Sequence, residues 1–131
     1  MSNSFRMKLE DIQPSQLYIS RKKLNKIMKL FETNREYLLP PIPIKKLNGY
    51  MMSTDGHTRA IAWFLNGHEE VECEWEDCDL DWEAYAICID WCIEEGINSL
   101  TDLKERIVSH ETYKIVWLDR CQIMQEELEE R

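Results

Sequence analysis

Between Ser53 and Gly67 the chain reads STDGHTRAIAWFLNG, and five consecutive residues within it, Asp55-Gly56-His57-Thr58-Arg59, carry the parts of an anion site. Gly56 lets the backbone come close to a ligand. The first N–H groups of a helix that follows point outward without partners. Thr58 adds a hydroxyl, and Arg59 a guanidinium whose fork matches phosphate oxygens. A glycine at a strand-to-helix turn also serves as an ordinary capped turn, with Arg59 paired to an acidic neighbour. The residues alone leave those two readings level. His57 either donates a hydrogen bond or titrates beside the phosphate, or it is a polar helix-start residue facing water. Asp55 reads first as the helix N-cap, and second as a metal-bridging carboxylate or a base that accepts a hydroxyl proton in phosphoryl transfer.

Other groups with chemical capacity are less organised. Cys73 and Cys78 are five apart, Cys88 and Cys92 are one helical turn apart, and Cys121 stands alone. None has the C-x₂-C spacing of a zinc knuckle, so the thiols are expected to be buried and inert. Glu74, Glu76, Asp77, Asp79 and Asp81 offer oxygens for Mg²⁺, but so dense a run equally forms a solvated acidic face, and no metal ligand is assigned there. His68 and His110 read as surface residues.

The elements that must position the turn follow from periodicity. Leu9, Ile12, Leu17, Tyr18 and Ile19 suggest an extended opening segment with a turn at Gln13-Pro14-Ser15. Ser20 caps a helix to about Phe31, with Leu24, Ile27, Met28 and Phe31 on one face. Pro40-Pro41-Ile42-Pro43-Ile44 is too proline-rich to start a central strand, so Ile42–Leu47 is expected to enter a sheet at an edge or after the last proline. Asn48-Gly49 then joins Pro43–Leu47 to Tyr50–Ser53 as a hairpin. After the turn a helix runs to Asn66-Gly67. Val71, Cys73 and Trp75 alternate with glutamates as a half-buried strand, which closes a βαβ-like passage. Trp82–Glu95 is apolar on nearly every side and is expected to be wrapped by other elements or a partner. A helix begins at Ser99 with Asp102 completing a capping box, and another spans about Glu111 to Glu129. The fold class is therefore α+β: a mixed sheet with helices, followed by a C-terminal group of about three helices, in a single domain over 1–131.

Composition bounds the function. With 131 residues, 44% hydrophobic and 31% charged, one folded core is expected. The longest apolar runs, Ala60–Leu65 and Ala84–Ile89, fall far short of the roughly 20 residues a bilayer requires. The polar start MSNSFRMKLED lacks the apolar stretch of a secretory signal, so a cytoplasmic protein with reduced thiols is expected. The net charge of −9 hides an asymmetry. Residues 1–67 hold 11 Lys+Arg against 5 Asp+Glu, net +6, whereas residues 68–131 hold 5 against 20, net −15. The acidic half repels a long polyanion, while a small phosphorylated ligand needs only one basic patch. The cluster Arg21–Lys23, Lys26, Lys29 is either that patch or the solvated side of a helix.

The stretch STDGHTRAIAWFLNG resembles the central box of the ParB/sulfiredoxin superfamily, a strand, a G-x-x-R-x-x-A turn and a helix, with Gly56, Arg59 and Ala62 on those positions. LEDIQPSQLYISRKKL is similar to the opening box of ParB N-terminal-like domains, and PPIPIKKLNGY to their proline-led second strand. The resemblance covers about residues 7–80, an α/β core to which 81–131 adds a helical extension. It implies that Gly56, His57, Thr58 and Arg59 contact the phosphates of a nucleoside triphosphate, CTP or ATP, with Mg²⁺. The departures prune this. Sulfiredoxin's reactive cysteine would fall at His57, which removes sulfinic acid reduction, and His57-Thr58-Arg59 replaces the Glu-Arg-Arg of partition proteins. Only about 50 residues, rich in Asp and Glu, follow, in place of a helix-turn-helix domain. Three functions stand: a nucleotide-binding protein acting in phosphoryl transfer or as a switch; a non-catalytic interaction module, homodimeric or with another protein, through the helices of Trp82, Trp91 and Trp117; and sequence-tolerant or partition-related DNA binding through Lys22–Lys29, which the acidic half opposes.

Overall fold

The computed structural model describes residues 4–131. Four strands, β1 (Ser4–Lys8), β3 (Ile42–Leu47), β4 (Tyr50–Ser53) and β5 (Glu70–Trp75), form a mixed sheet in the order β1-β5-β3-β4. β5 runs antiparallel to β1 and parallel to β3, and β3 antiparallel to β4. Two further segments, β2 (Ile19–Ser20) and β6 (Ile107–Val108), pair in parallel. The helices are α1 (Arg21–Glu32), α2 (His57–Leu65), α3 (Trp82–Glu94), α4 (His110–Tyr113) and α5 (Arg120–Glu129). The α+β class with a C-terminal helix group is thus the observed architecture. Among the described residues no helix is long and apolar enough to cross a membrane.

Local chemistry explains most of these elements. Ser20 Oγ accepts the Lys23 N–H and starts α1. Asn48 and Gly49 both have positive φ, 51° and 85°, as a two-residue type I′ hairpin requires, and they set Leu47 opposite Tyr50. Asp81 caps α3 through the Ala84 N–H. The register of β1 on β5 places Arg6 opposite Glu72 and Lys8 opposite Glu70, so the acidic outer face of β5 meets basic partners. Val71 and Cys73 point inward.

Several expectations are corrected. The opening strand is Ser4–Lys8, upstream of Leu9, because its partner β5 lies more than 60 residues away and pairs with Phe5 and Met7; Leu9–Asp11 is a single 3₁₀ turn. β3 is interior to the sheet and begins before Pro43. It tolerates the proline because the β4 ladder covers only Ile44 to Leu47, so at Pro43 just one neighbouring strand is in register. The βαβ passage skips β4: after α2 the chain pairs with β3. Trp75 alternates as expected but lies at the sheet's end, 51% exposed, against Phe5. The helix expected from Ser99 is only a six-residue 3₁₀ helix, Leu100–Glu105. Its capping box forms, but the β-branched Ile107 and Val108 leave it to pair with Ile19 and Ser20. The last helix is continuous from His110 to Glu129, with a π-helical stretch over Lys114–Asp119. α3 is wrapped on one side only. Ala84, Cys88, Ile89 and Cys92 are buried, while Ile93 is exposed, as are Ile115, Leu118 and Ile123 of the last helix.

One contiguous hydrophobic core runs from Leu9 to Met124. Leu17, Ile19, Ile44, Ile61, Leu100 and Leu103 are sealed within it. α2 packs on both α1 and the Leu100–Glu105 turn, and that packing fixes the turn at its N-terminus.

Candidate functional site

Gly56 is the pivot of the turn. Its φ of 77° lies in the left-handed region, and a Cβ built on it would stand 2.7 Å from Cζ of Arg59. Glycine is therefore required twice, for the backbone and for the guanidinium that lies over it. Gly56, not Asp55, is the N-cap of α2, and no side chain caps the helix. Asp55 instead accepts the Gly56 N–H on Oδ1 at 2.8 Å, and its carboxylate is exposed on the rim. The N-cap expectation for Asp55 is thereby overturned: a left-handed Gly56 turns the chain one residue too early for the carboxylate to reach the second or third helical N–H.

The His57 side chain does not face water. It is buried, with Nε2 accepting the Ser15 N–H at 3.0 Å and lying 3.0 Å from Oγ of Ser53. An Nε2 that accepts a main-chain N–H requires a neutral ring with its proton on Nδ1. Burial pushes the imidazole down to about 4, against the upward pull of Asp55 and with a smaller downward push from Arg59. Ser15 Oγ donates to the Ser53 carbonyl at 2.7 Å. His57 therefore latches the Gln13-Pro14-Ser15 turn to the end of β4, and only its main-chain N–H faces the helix N-terminus.

Arg59 is partly committed. Nε donates to the Pro40 carbonyl at 3.0 Å and Nη2 to the Pro41 carbonyl at 2.7 Å, so α2 is tied to the proline segment that leads into β3. Burial lowers its pKa, opposed by Asp55 and Glu74. Thr58 is half-buried at the second helical position. Thr54 anchors the strand end: its N–H donates to Pro43, its hydroxyl to Glu76 Oε1 at 2.8 Å, and its carbonyl accepts the Tyr85 hydroxyl.

These residues open on a cavity of about 420 Å³ whose walls include Asp55, Gly56, His57, Thr58 and Arg59 together with Lys23 and Lys26 of α1. Lys23 and Lys26 fall on one helix face by their i, i+3 spacing, and that spacing was the available sign that both could turn toward one ligand. Tyr113 closes the cavity, its ring 5.1 Å from the Lys23 ammonium. Lys22, Lys23, Lys26 and Lys114 form no ion pair among the described residues. His110, which is hydrogen-bonded through Nδ1 to Ser20 Oγ at 2.8 Å and is not a free surface group, is shifted down by desolvation and then by these four lysines. Behind His57 a second cavity of about 210 Å³ is bounded by Tyr85, Cys88, Trp117 and Cys121.

Cys73, Cys88 and Cys92 are buried as expected, whereas Cys78 is exposed and Cys121 only half-buried. Cys73 and Cys92 are pushed up, to about 11 and about 12, chiefly by burial. Cys88 is raised most, by its hydrogen bond to Cys121, whose own pKa that bond lowers. Glu76, Asp77 and Cys78 bring ligand atoms within 4.8 Å of one another, but Glu76 is taken by Thr54 and by the Cys78 N–H.

No family model and no curated protein matches the chain. Among solved structures, the chain is similar to protein Atu1540 from Agrobacterium tumefaciens, at 14% identity and a TM-score of 0.48. The match covers 72% of this chain and 49% of that one, so the chain spans about half the length of that neighbour.

Proposed function

We propose that the chain is a nucleotide-binding protein of the ParB/sulfiredoxin type, holding the phosphates of CTP or ATP at the N-terminus of α2. The observation that carries the reading is the uncapped helix N-terminus opening on a cavity faced by Lys23 and Lys26. Aligned helical N–H groups and two ammonium groups without ion pairs among the described residues attract the same charge into one cavity. The volume lies in the range of small-ligand sites. The main-chain N–H groups of His57 and Thr58, the Thr58 hydroxyl, the two lysines and the Arg59 Nη1 group form the phosphate set. The His57 side chain is outside it. Asp55 retains one carboxylate oxygen on the rim, suited to help hold Mg²⁺ or to take a proton from an acceptor hydroxyl.

A thermal-shift screen with CTP, ATP and ADP, with and without Mg²⁺, tests this. A ligand at 100 times its Kd adds about 2.7 kcal/mol of stability, and the gain should vanish in Lys23→Ala/Lys26→Ala. A second reading, a non-catalytic interaction module, is favoured by the open apolar side of α3 and the exposed Ile115, Leu118 and Ile123. It predicts no nucleotide shift and self-association that is lost in Ile115→Asp.

A further inference from the structure

Glu36 is half-buried and has one isolated oxygen. Its Oε2 is shielded from water and has no hydrogen-bond partner, the one such side-chain atom among the described residues. A buried, unpartnered carboxylate oxygen is costly and calls for a missing donor. Glu36 opens the 3₁₀ turn Glu36–Leu38 that follows α1. That turn and Pro40-Pro41 form one wall of a cavity of about 380 Å³, opposite Trp63, His68 and Glu70. The cavity is separate from the phosphate site: Arg59 and the lysines are not among its walls.

Its surface has the character of a receptor for an organic cation. Trp63 is held before any ligand arrives, edge-on against Phe31 at 4.9 Å and His68 at 4.7 Å. The Tyr37 ring stands 75% exposed at the mouth. Arg6 is the one fixed cation on the wall, and it is already bonded to Glu70, through Nη2 to the carbonyl at 3.2 Å and Nε to the carboxylate at 3.9 Å. Among the described residues Glu36 and Glu72 then remain without ion pairs, so the walls are net negative. Aromatic faces attract cations and hydrocarbon together. Among the described residues Glu36, Glu70 and Glu72 do not bring ligand oxygens within 4.8 Å of one another, so the wall lacks the oxygen cage that Mg²⁺ or Ca²⁺ demands, whereas an ammonium N–H needs a single acceptor.

We propose that this cavity binds a small primary alkylammonium, with Glu36 turning about its soft terminal torsion to accept an N–H while Trp63 and Tyr37 flank the alkyl chain. The test is an NMR titration of the full chain at constant ionic strength with n-butylammonium, and with tetramethylammonium, butyrate and Ca²⁺ as comparisons. Butylammonium should move the Trp63 indole N–H and the Tyr37 and Glu36 amides along a saturating curve. Tetramethylammonium, which has no N–H, should bind at least about tenfold more weakly, and butyrate not at all. Glu36→Gln should weaken butylammonium about tenfold and, without ligand, be no less stable than the parent, because Oε2 has no hydrogen bond to lose. Tyr37→Ala, at an exposed position, should keep the fold and weaken binding severalfold. Absence of saturation by about 50 mM butylammonium overturns the proposal. So does equal binding of tetramethylammonium, tighter binding of Ca²⁺ at the same amides, or a clear loss of stability in unliganded Glu36→Gln, which would mean that the carboxylate has a partner inside the protein.

Discussion

Gly56→Ala tests the geometry of the turn most sharply, because two costs separate in a double-mutant cycle. A non-glycine residue at φ 77° costs about 1–2 kcal/mol. The new Cβ also meets Arg59 Cζ at 2.7 Å, so the guanidinium must leave the Pro40 and Pro41 carbonyls. Two charge-assisted bonds on a half-buried group contribute about 1–3 kcal/mol together once exposure is discounted. Gly56→Ala should therefore destabilise by about 2–5 kcal/mol, and Arg59→Ala by about 1–3. With the guanidinium already gone, adding Gly56→Ala should cost only the backbone share. The two single losses should thus exceed the double loss by about 1–3 kcal/mol, a coupling well outside the scatter for independent sites. Urea unfolding of the four proteins measures it. Losses that add within about 0.5 kcal/mol would refute the claim that the glycine exists to seat Arg59.

His57 is neutral in the fold at about 4 and near 6.5 when unfolded. The unfolded chain thus binds the extra proton, and the stability that His57 contributes is complete above about pH 6.5 and lost as pH falls toward 4. In that window the parent should lose up to about 3 kcal/mol more than His57→Gln, measured by urea unfolding at stepped pH; parallel curves would contradict the latch. Ser99→Ala should destabilise by about 1 kcal/mol through loss of the capping box, seen as a shift in urea midpoint without a change in slope. In brief iodoacetamide labelling of the folded protein near pH 8, Cys121 should be modified well before the buried Cys73, Cys88 and Cys92, read by peptide mass mapping.

What was legible in the chain was local. The I′ hairpin follows from Asn48-Gly49, the α1 cap from Ser20, the capping box from Ser99 and Asp102, and the strand-turn-helix from Gly56, because each is set within four residues. What was hidden was set by distant partners. The position of β1 depends on β5, and the role of Arg59 depends on carbonyls 18 and 19 residues away. His57 looked available because its latch, the Ser15 N–H, lies 42 residues upstream. The same non-locality placed Lys23 and Lys26 in one cavity with the turn, where the helix spacing indicated a shared face but not what it faces.

The most direct measurement is an ¹⁵N–¹H titration of the folded chain with CTP and with inorganic triphosphate. Saturable shifts of the His57, Thr58 and Arg59 amides are expected, together with the Lys23 and Lys26 side-chain signals, and they should be lost in Lys23→Ala/Lys26→Ala. Saturable shifts confined to other residues, or none with either compound, would contradict a phosphate site at the N-terminus of α2.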